Sequence, residues 1–191
     1  LQTLKQNEQF VFIDGLTHLT SYTQTTPLPS VKTATTPNAV LQGNSLQEFY
    51  NTIREHVLAS AKQSANPLII IDDVNVFVWG GFPVSEVLSL LHNIRVLTES
   101  VQGTLVSVLH ADEEGNDDVE SDSFVRTVLS RADIVLMVEA LQSGQSRDVH
   151  GQLSIINGPK QRGFVEAQAL HYRLMDNNCT FFAKGIAQGV L

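Results

Sequence analysis

The chain predicts an α/β fold: a three-layer α/β/α sandwich whose mainly parallel central sheet is extended at one edge by antiparallel hairpins. Two observations carry this expectation. Over the first two thirds, short and almost continuously apolar β-type runs alternate with segments of helical periodicity, which is how strands buried on both faces and joined by crossover helices read. Over the last third, three β-type runs follow one another with only turn chemistry between them, which joins neighbours antiparallel.

The first strand is "FVFID" (Phe10 to Asp14), closed by Gly15. Residues 17–43 carry neither period and are rich in Thr, Pro, Ser and Gln, so they read as a flexible connection within a single domain spanning 1–191. "SLQEFYNTIREHVLASA" then sets Leu46, Phe49, Tyr50, Ile53 and Val57 on one helical face, with Ser45 and Glu48 as a capping box. "PLIII" supplies a central strand. Pro83 opens a second helix with the stripe Val84, Val87, Leu88, Leu91 and Ile94. The strand "TLVSVLH" ends at His110 and leads into the acidic loop "ADEEGNDDVESDS", a short helix around Phe124, Val125, Val128 and Leu129, and the strand "DIVLMVEA". The runs "HGQLSIIN", "FVEAQALHYRLM" and "CTFFAKG" complete the chain, separated by the turn sequences "GPKQRG" and "DNN".

With 42% hydrophobic and 17% charged residues, the 191-residue chain can bury a sizeable core and is too apolar for a disordered protein. Its formal net charge of -8 argues against holding nucleic acid through overall charge, because counterion release needs clustered Lys and Arg. The single cysteine, Cys179, excludes an internal disulfide and reads as a small apolar strand residue, consistent with a reducing compartment. No apolar run is long enough to span a bilayer, and "LQTLKQNEQF" lacks the basic-then-apolar order of a signal peptide. The expectation is a soluble intracellular protein without a membrane partner.

Chemistry is expected first at "NPLIIIDDVN", where a buried-type strand closes on Asp72 and Asp73. Strands ending this way hold magnesium in nucleotide hydrolases, but only beside a loop that cradles the phosphates. No G-x-x-x-x-G-K-[ST] occurs in residues 1–191, so the two aspartates read as structural rather than catalytic. His110 with Asp112, and Asp148 with His150, lack the closed His or Cys spacing of a zinc site and read as capping or solvated groups. No catalytic residue, metal or cofactor is expected. "GPKQRG", with Lys160 and Arg162, is the one compact basic element and the candidate for RNA contact; Arg147, Arg173 and Lys184 are scattered.

This order of strand, helix, Asp-ended strand, helix, strand, helix, strand and edge hairpins is similar to a RecA-type ATPase core. More closely, "FVFIDGL", "PLIIIDDVNVFVWGGFPVSEVLSLLHNIR", "RDVHGQLSI" and "FFAKGIAQGVL" resemble the family of sixth subunits of the Elongator complex, from Phe10 to Leu191. The resemblance implies a RecA-like fold without ATPase motifs, here truncated at its amino end, in which Asp72 and Asp73 are a vestigial, Walker-B-like pair. It implies a pseudo-ATPase scaffold, assembled with the fourth and fifth Elongator subunits into a hetero-hexameric ring. That ring binds tRNA in support of wobble-uridine modification performed by another subunit, in the cytoplasm and also the nucleus. Two rivals remain: an active RecA-type ATPase whose phosphate loop lies upstream of Leu1, and a RecA-like adaptor in DNA recombination.

Overall fold

The computed structural model describes residues 10–16, 39–40, 45–62, 66–111, 119–141, 148–159 and 168–183. By internal contact the chain divides into two compact units, Leu1–Glu120 and Ser121–Leu191.

In the first unit, β1 (Ile13–Asp14) pairs in parallel with β2 (Ala39–Val40), Ile13 opposite Ala39. β2 falls within the 17–43 segment expected as a connection; the remainder of that segment lies outside the described residues. Ser45, extended at φ -115° and ψ 116°, caps α1 (Leu46–Ala61) by accepting the Gln47 amide at 3.2 Å. The cap therefore closes on the second helical N–H, not on that of Glu48 as in the expected box. α1 buries Leu46, Ile53 and Val57 and packs on α3 (Val84–Ser100), which buries Val87, Leu90, Leu91, Ile94 and Leu97. The α1 stripe recurs at seven and four residues and the α3 stripe mainly at three, so each helix presents one apolar side, and Pro83 stands as the N-cap of α3.

Between them, β3 (Leu68–Ile71) runs into the short helix α2 (Asn75–Trp79), and α3 leads into β4 (Thr104–Ser107). β3 and β4 pair in parallel from Leu68 opposite Thr104 to Ile71 opposite Ser107, the crossover expected of alternating strands and helices. The turn from α3 to β4 is tight. Gln102 takes a left-handed conformation, φ 55°, its amide donating to Glu99 O at 3.1 Å, while the Gly103 amide donates to Thr98 O at 2.9 Å. Gly103 is a space requirement: a Cβ there would lie 2.6 Å from the Pro67 carbonyl oxygen.

In the second unit, α4 (Val119–Leu129) begins at the boundary and fully buries Phe124. An antiparallel four-stranded sheet follows in the order β5 (Ile134–Glu139), β6 (Gly151–Asn157), β7 (Gln168–Met175), β8 (Asn178–Ala183). Asp176 and Asn177 turn β7 into β8, so "DNN" does make a hairpin. Cys179 sits exposed in β8 opposite Leu174.

The α/β class and the antiparallel carboxyl-terminal meander hold. One continuous, mainly parallel sheet is not what forms among the described residues: parallel pairing is confined to β1–β2 and β3–β4, and β5, expected as parallel, is the first strand of the antiparallel sheet. A run apolar on both faces identifies a strand but carries no direction, so "DIVLMVEA" could not reveal its partner. No described helix is long and apolar enough to cross a membrane.

Candidate functional site at the ends of β3 and β4

Beyond Ile71 the chain passes through Asp72 and Asp73, joined by a cis peptide bond, and Val74 into α2. The ladder continues past the strands, with Val108 N–H donating to Ile71 O at 2.9 Å and Val74 N–H to Val108 O at 3.0 Å. Val74 is fully buried and fixes the start of α2 against the core. Asp73 Oδ1 accepts the Asn75 amide at 2.7 Å, supplying an acceptor for one of the N–H groups that a helix start leaves open.

Asn75, 2% exposed, joins this turn to the end of the next strand. Its Nδ2 donates to His110 O at 3.0 Å and its Oδ1 accepts the His110 amide at 3.1 Å, so one buried side chain satisfies both backbone groups of His110. The His110 ring returns to the first strand, Nδ1 standing 2.8 Å from Asp73 Oδ2. A carboxylate only accepts, so Nδ1 carries the proton of that bond. The Trp79 ring, 65% exposed, lies against the His110 ring at 6.2 Å between centroids. Asp73 thus engages both oxygens, and the network fastens the carboxyl ends of β3 and β4 together. Asp72 projects into solvent.

The second pair singled out in the sequence also fastens strands. Asp148 Oδ1 lies 3.3 Å from Arg173 Nη1. His150 Nδ1 accepts the Leu174 amide at 2.9 Å while its own amide donates to Tyr172 O at 2.8 Å. Its Nδ1 is therefore unprotonated. Gly151, next in line, is buried under Tyr172; a Cβ there would stand 2.5 Å from Tyr172 Oη and 2.6 Å from Glu139 O. "RDVHGQL" is thus a strand-start signature: a surface ion pair, a ring that caps an amide and a glycine that admits a tyrosine.

Asp112, Arg147, Lys160, Arg162 and Lys184 lie outside the described residues. Among the described residues no three His, Cys, Asp or Glu side chains come together as a metal site. The residue that sequence reasoning missed is Asn75. Its signal was a lone amide inside the apolar run "VNVFVW", two positions after an aspartate that could bond its N–H.

Compared with known proteins, the family model for Elongation complex protein 6 matches residues 1–176. The chain belongs to the Elongator complex protein 6 family. The Xenopus tropicalis Elongator complex protein 6 is 33% identical over 202 residues, covering 100% of this chain and 73% of the relative. The Homo sapiens Elongator complex protein 6 is 27% identical over 200 residues with the same coverage. The Dictyostelium discoideum Elongator complex protein 6 is 25% identical over 147 residues, 72% of this chain and 41% of the relative. Membership in the Elongator complex protein 6 family spans both fastenings, since the matched residues include Asp73, Asn75, His110, Asp148 and His150.

Proposed function

We propose that this chain is a noncatalytic, RecA-like subunit of Elongator. In this reading it assembles with the fourth and fifth subunits into a hetero-hexameric ring that supports tRNA binding for wobble-uridine modification. Family membership supports the Elongator assignment. The alternation of apolar strands with helices supports the RecA-like sandwich, with parallel β3–β4 as its Asp-ended centre.

The observation that carries the noncatalytic reading is the occupancy of Asp73. Asp73 is used as structure, accepting the Asn75 amide through one oxygen and meeting the His110 ring through the other, so a magnesium ion there would compete with both contacts. Asp72 and Asp73 are retained architecture in this reading. A net charge of -8 makes tRNA binding a property of the assembled ring, with partner chains supplying most of the positive charge and Lys160 and Arg162 a local share. The compartment follows the complex: cytoplasm, and the nucleus besides.

Light scattering of the chain mixed with the fourth and fifth subunits tests the assembly, with a mass near six chains expected and persistent monomer overturning it. Magnesium-dependent ATP turnover by the purified chain, abolished by Asp72→Ala, would overturn the noncatalytic role. In the assembled ring, Lys160→Glu with Arg162→Glu weakens tRNA retention on a filter; unchanged retention removes that turn from the tRNA surface.

A further inference from the structure

Trp79, the sole tryptophan, is largely exposed yet held in place. Phe77, two positions earlier and so on the other side of α2, is buried edge-on against the rings of Phe49 at 4.9 Å and Phe82 at 6.4 Å between centroids. After Trp79 the amides of Gly80, Gly81 and Phe82 donate to Val76 O, Val78 O and Phe77 O at 2.8, 3.0 and 3.1 Å, which closes the turn. The His110 ring, itself tied to Asp73, stands against the indole with its plane tilted by 54°. Gly80 and Gly81 add no side chain that could cover the indole, and at Gly81, φ 89°, a Cβ would meet nothing within 4 Å. The ring is therefore a fixed aromatic surface open to solvent at the carboxyl ends of the parallel strands β3 and β4, the end at which open α/β sheets take their ligands. Asp72, at the same end, projects into solvent, and among the described residues no Lys or Arg pairs with it or lies over the indole.

We propose that the Trp79 indole, with the Asp72 carboxylate at the same strand end, is an arginine-acceptor site, and that its occupant is an arginine side chain of another Elongator subunit. The negative face of the ring attracts a cation. A guanidinium both stacks flat on an indole and donates to a carboxylate through two parallel N–H groups, a geometry an ammonium lacks. Charge complementarity names the source: with 12 Lys and Arg against 20 Asp and Glu, net charge -8, this chain draws basic groups from its partners. The same charge disfavours the other common occupant of an exposed tryptophan, an unpaired RNA base, whose flanking phosphates would stand beside Asp72. Because the indole is already fixed by the closed turn and the His110 ring, little side-chain freedom is lost when the arginine docks. The site requires only that the chain is an Elongator subunit, and not the ring of six.

Titration of Elongator lacking this subunit with the chain, at several salt concentrations, tests the site. Trp79→Leu, which keeps an apolar side chain and removes the π face, weakens binding about tenfold, whereas Trp79→Phe, which keeps a weaker π face, weakens it about threefold. Asp72→Asn weakens binding and flattens its salt dependence. Circular dichroism in urea keeps the three variants at the parent's midpoint, since both side chains are exposed, so the lost affinity is not lost fold. Binding by Trp79→Leu as tight as the parent's, equal losses in Trp79→Leu and Trp79→Phe, or an unchanged salt dependence in Asp72→Asn overturns the proposal. If Trp79→Leu binds undiminished and still reaches a mass near six chains with the fourth and fifth subunits, the arginine site alone falls and the assembly stands. A parent chain that does not bind Elongator overturns both. Quenching of the parent's Trp79 emission by tRNA, with no change on adding the other subunits, overturns the proposal in favour of an RNA base.

Discussion

Asn75→Ala removes the side chain that ties α2 to the end of β4, and its cost separates a buried fastening from a surface ornament. Two hydrogen bonds are lost at once, the 3.0 Å bond to His110 O and the 3.1 Å bond from His110 N–H, from a side chain 2% exposed. Each contributes about 0.5 to 1.5 kcal/mol net, giving about 1 to 3 kcal/mol in all. With a urea dependence of roughly 2 kcal/mol per molar, the unfolding midpoint falls by roughly 0.5 to 1.5 M. The comparison is His110→Ala, which keeps both backbone bonds and removes the ring's contacts with Asp73 and Trp79. Because the His110 side chain is largely exposed, the contact with Asp73 contributes about 0.2 to 1 kcal/mol. Trp79, the sole tryptophan and in contact with the His110 ring, reports locally by fluorescence while circular dichroism reports globally. Asn75→Ala should cost more than His110→Ala by both probes. The reverse order, or an Asn75→Ala midpoint within about 0.2 M of the parent, would refute the assignment of the fastening to the buried amide.

Gln102→Gly should stabilise the chain by about 0.5 to 1 kcal/mol, read as a raised urea midpoint, since φ 55° strains a side chain that glycine lacks. Gly151→Ala should destabilise by about 1 to 3 kcal/mol by forcing Tyr172 or the β5–β6 backbone aside, and hydrogen exchange should quicken at Leu174, whose amide His150 holds. Asp148→Asn should change stability by less than about 0.5 kcal/mol in calorimetry, because Arg173 and Asp148 form their pair in solvent.

Legibility in the sequence tracked how far each signal depends on distant partners. The helix stripes of α1 and α3 were readable because three- and four-residue spacing fixes a face without reference to anything else. The end of α3 misleads by one position: in "SVQGT" the glycine is the natural left-handed residue, yet Gln102 takes that conformation and Gly103 yields room to the Pro67 carbonyl, 36 positions back in the chain. Asp73 was visible as a carboxylate at a strand end, but its partners were not, because Asn75 and His110 meet only once β3 and β4 pair in register. The same holds for His150, whose partner is a backbone amide with no sequence signature at all.

The two histidines sharpen what a polar residue at a strand end means here. His110 Nδ1 must carry a proton to donate to Asp73, whereas His150 Nδ1 must be bare to accept from Leu174, so the two rings use the same nitrogen in opposite senses, set by opposite kinds of partner. In each, the nitrogen nearer the backbone is spent on architecture, and the carboxylate beside it is likewise engaged, Asp73 with Asn75 and Asp148 with Arg173. A general base needs a free nitrogen aimed at a substrate proton and a carboxylate free to orient it. At His110 the Asp73 carboxylate orients the ring through Nδ1, whereas His150 has spent Nδ1 on a backbone amide and no carboxylate is shown to orient it. The polar residues that look most like chemistry in "NPLIIIDDVN" and "RDVHGQL" also hold neighbouring strands in place, Asp73, Asn75 and His110 between β3 and β4 and His150 against β7.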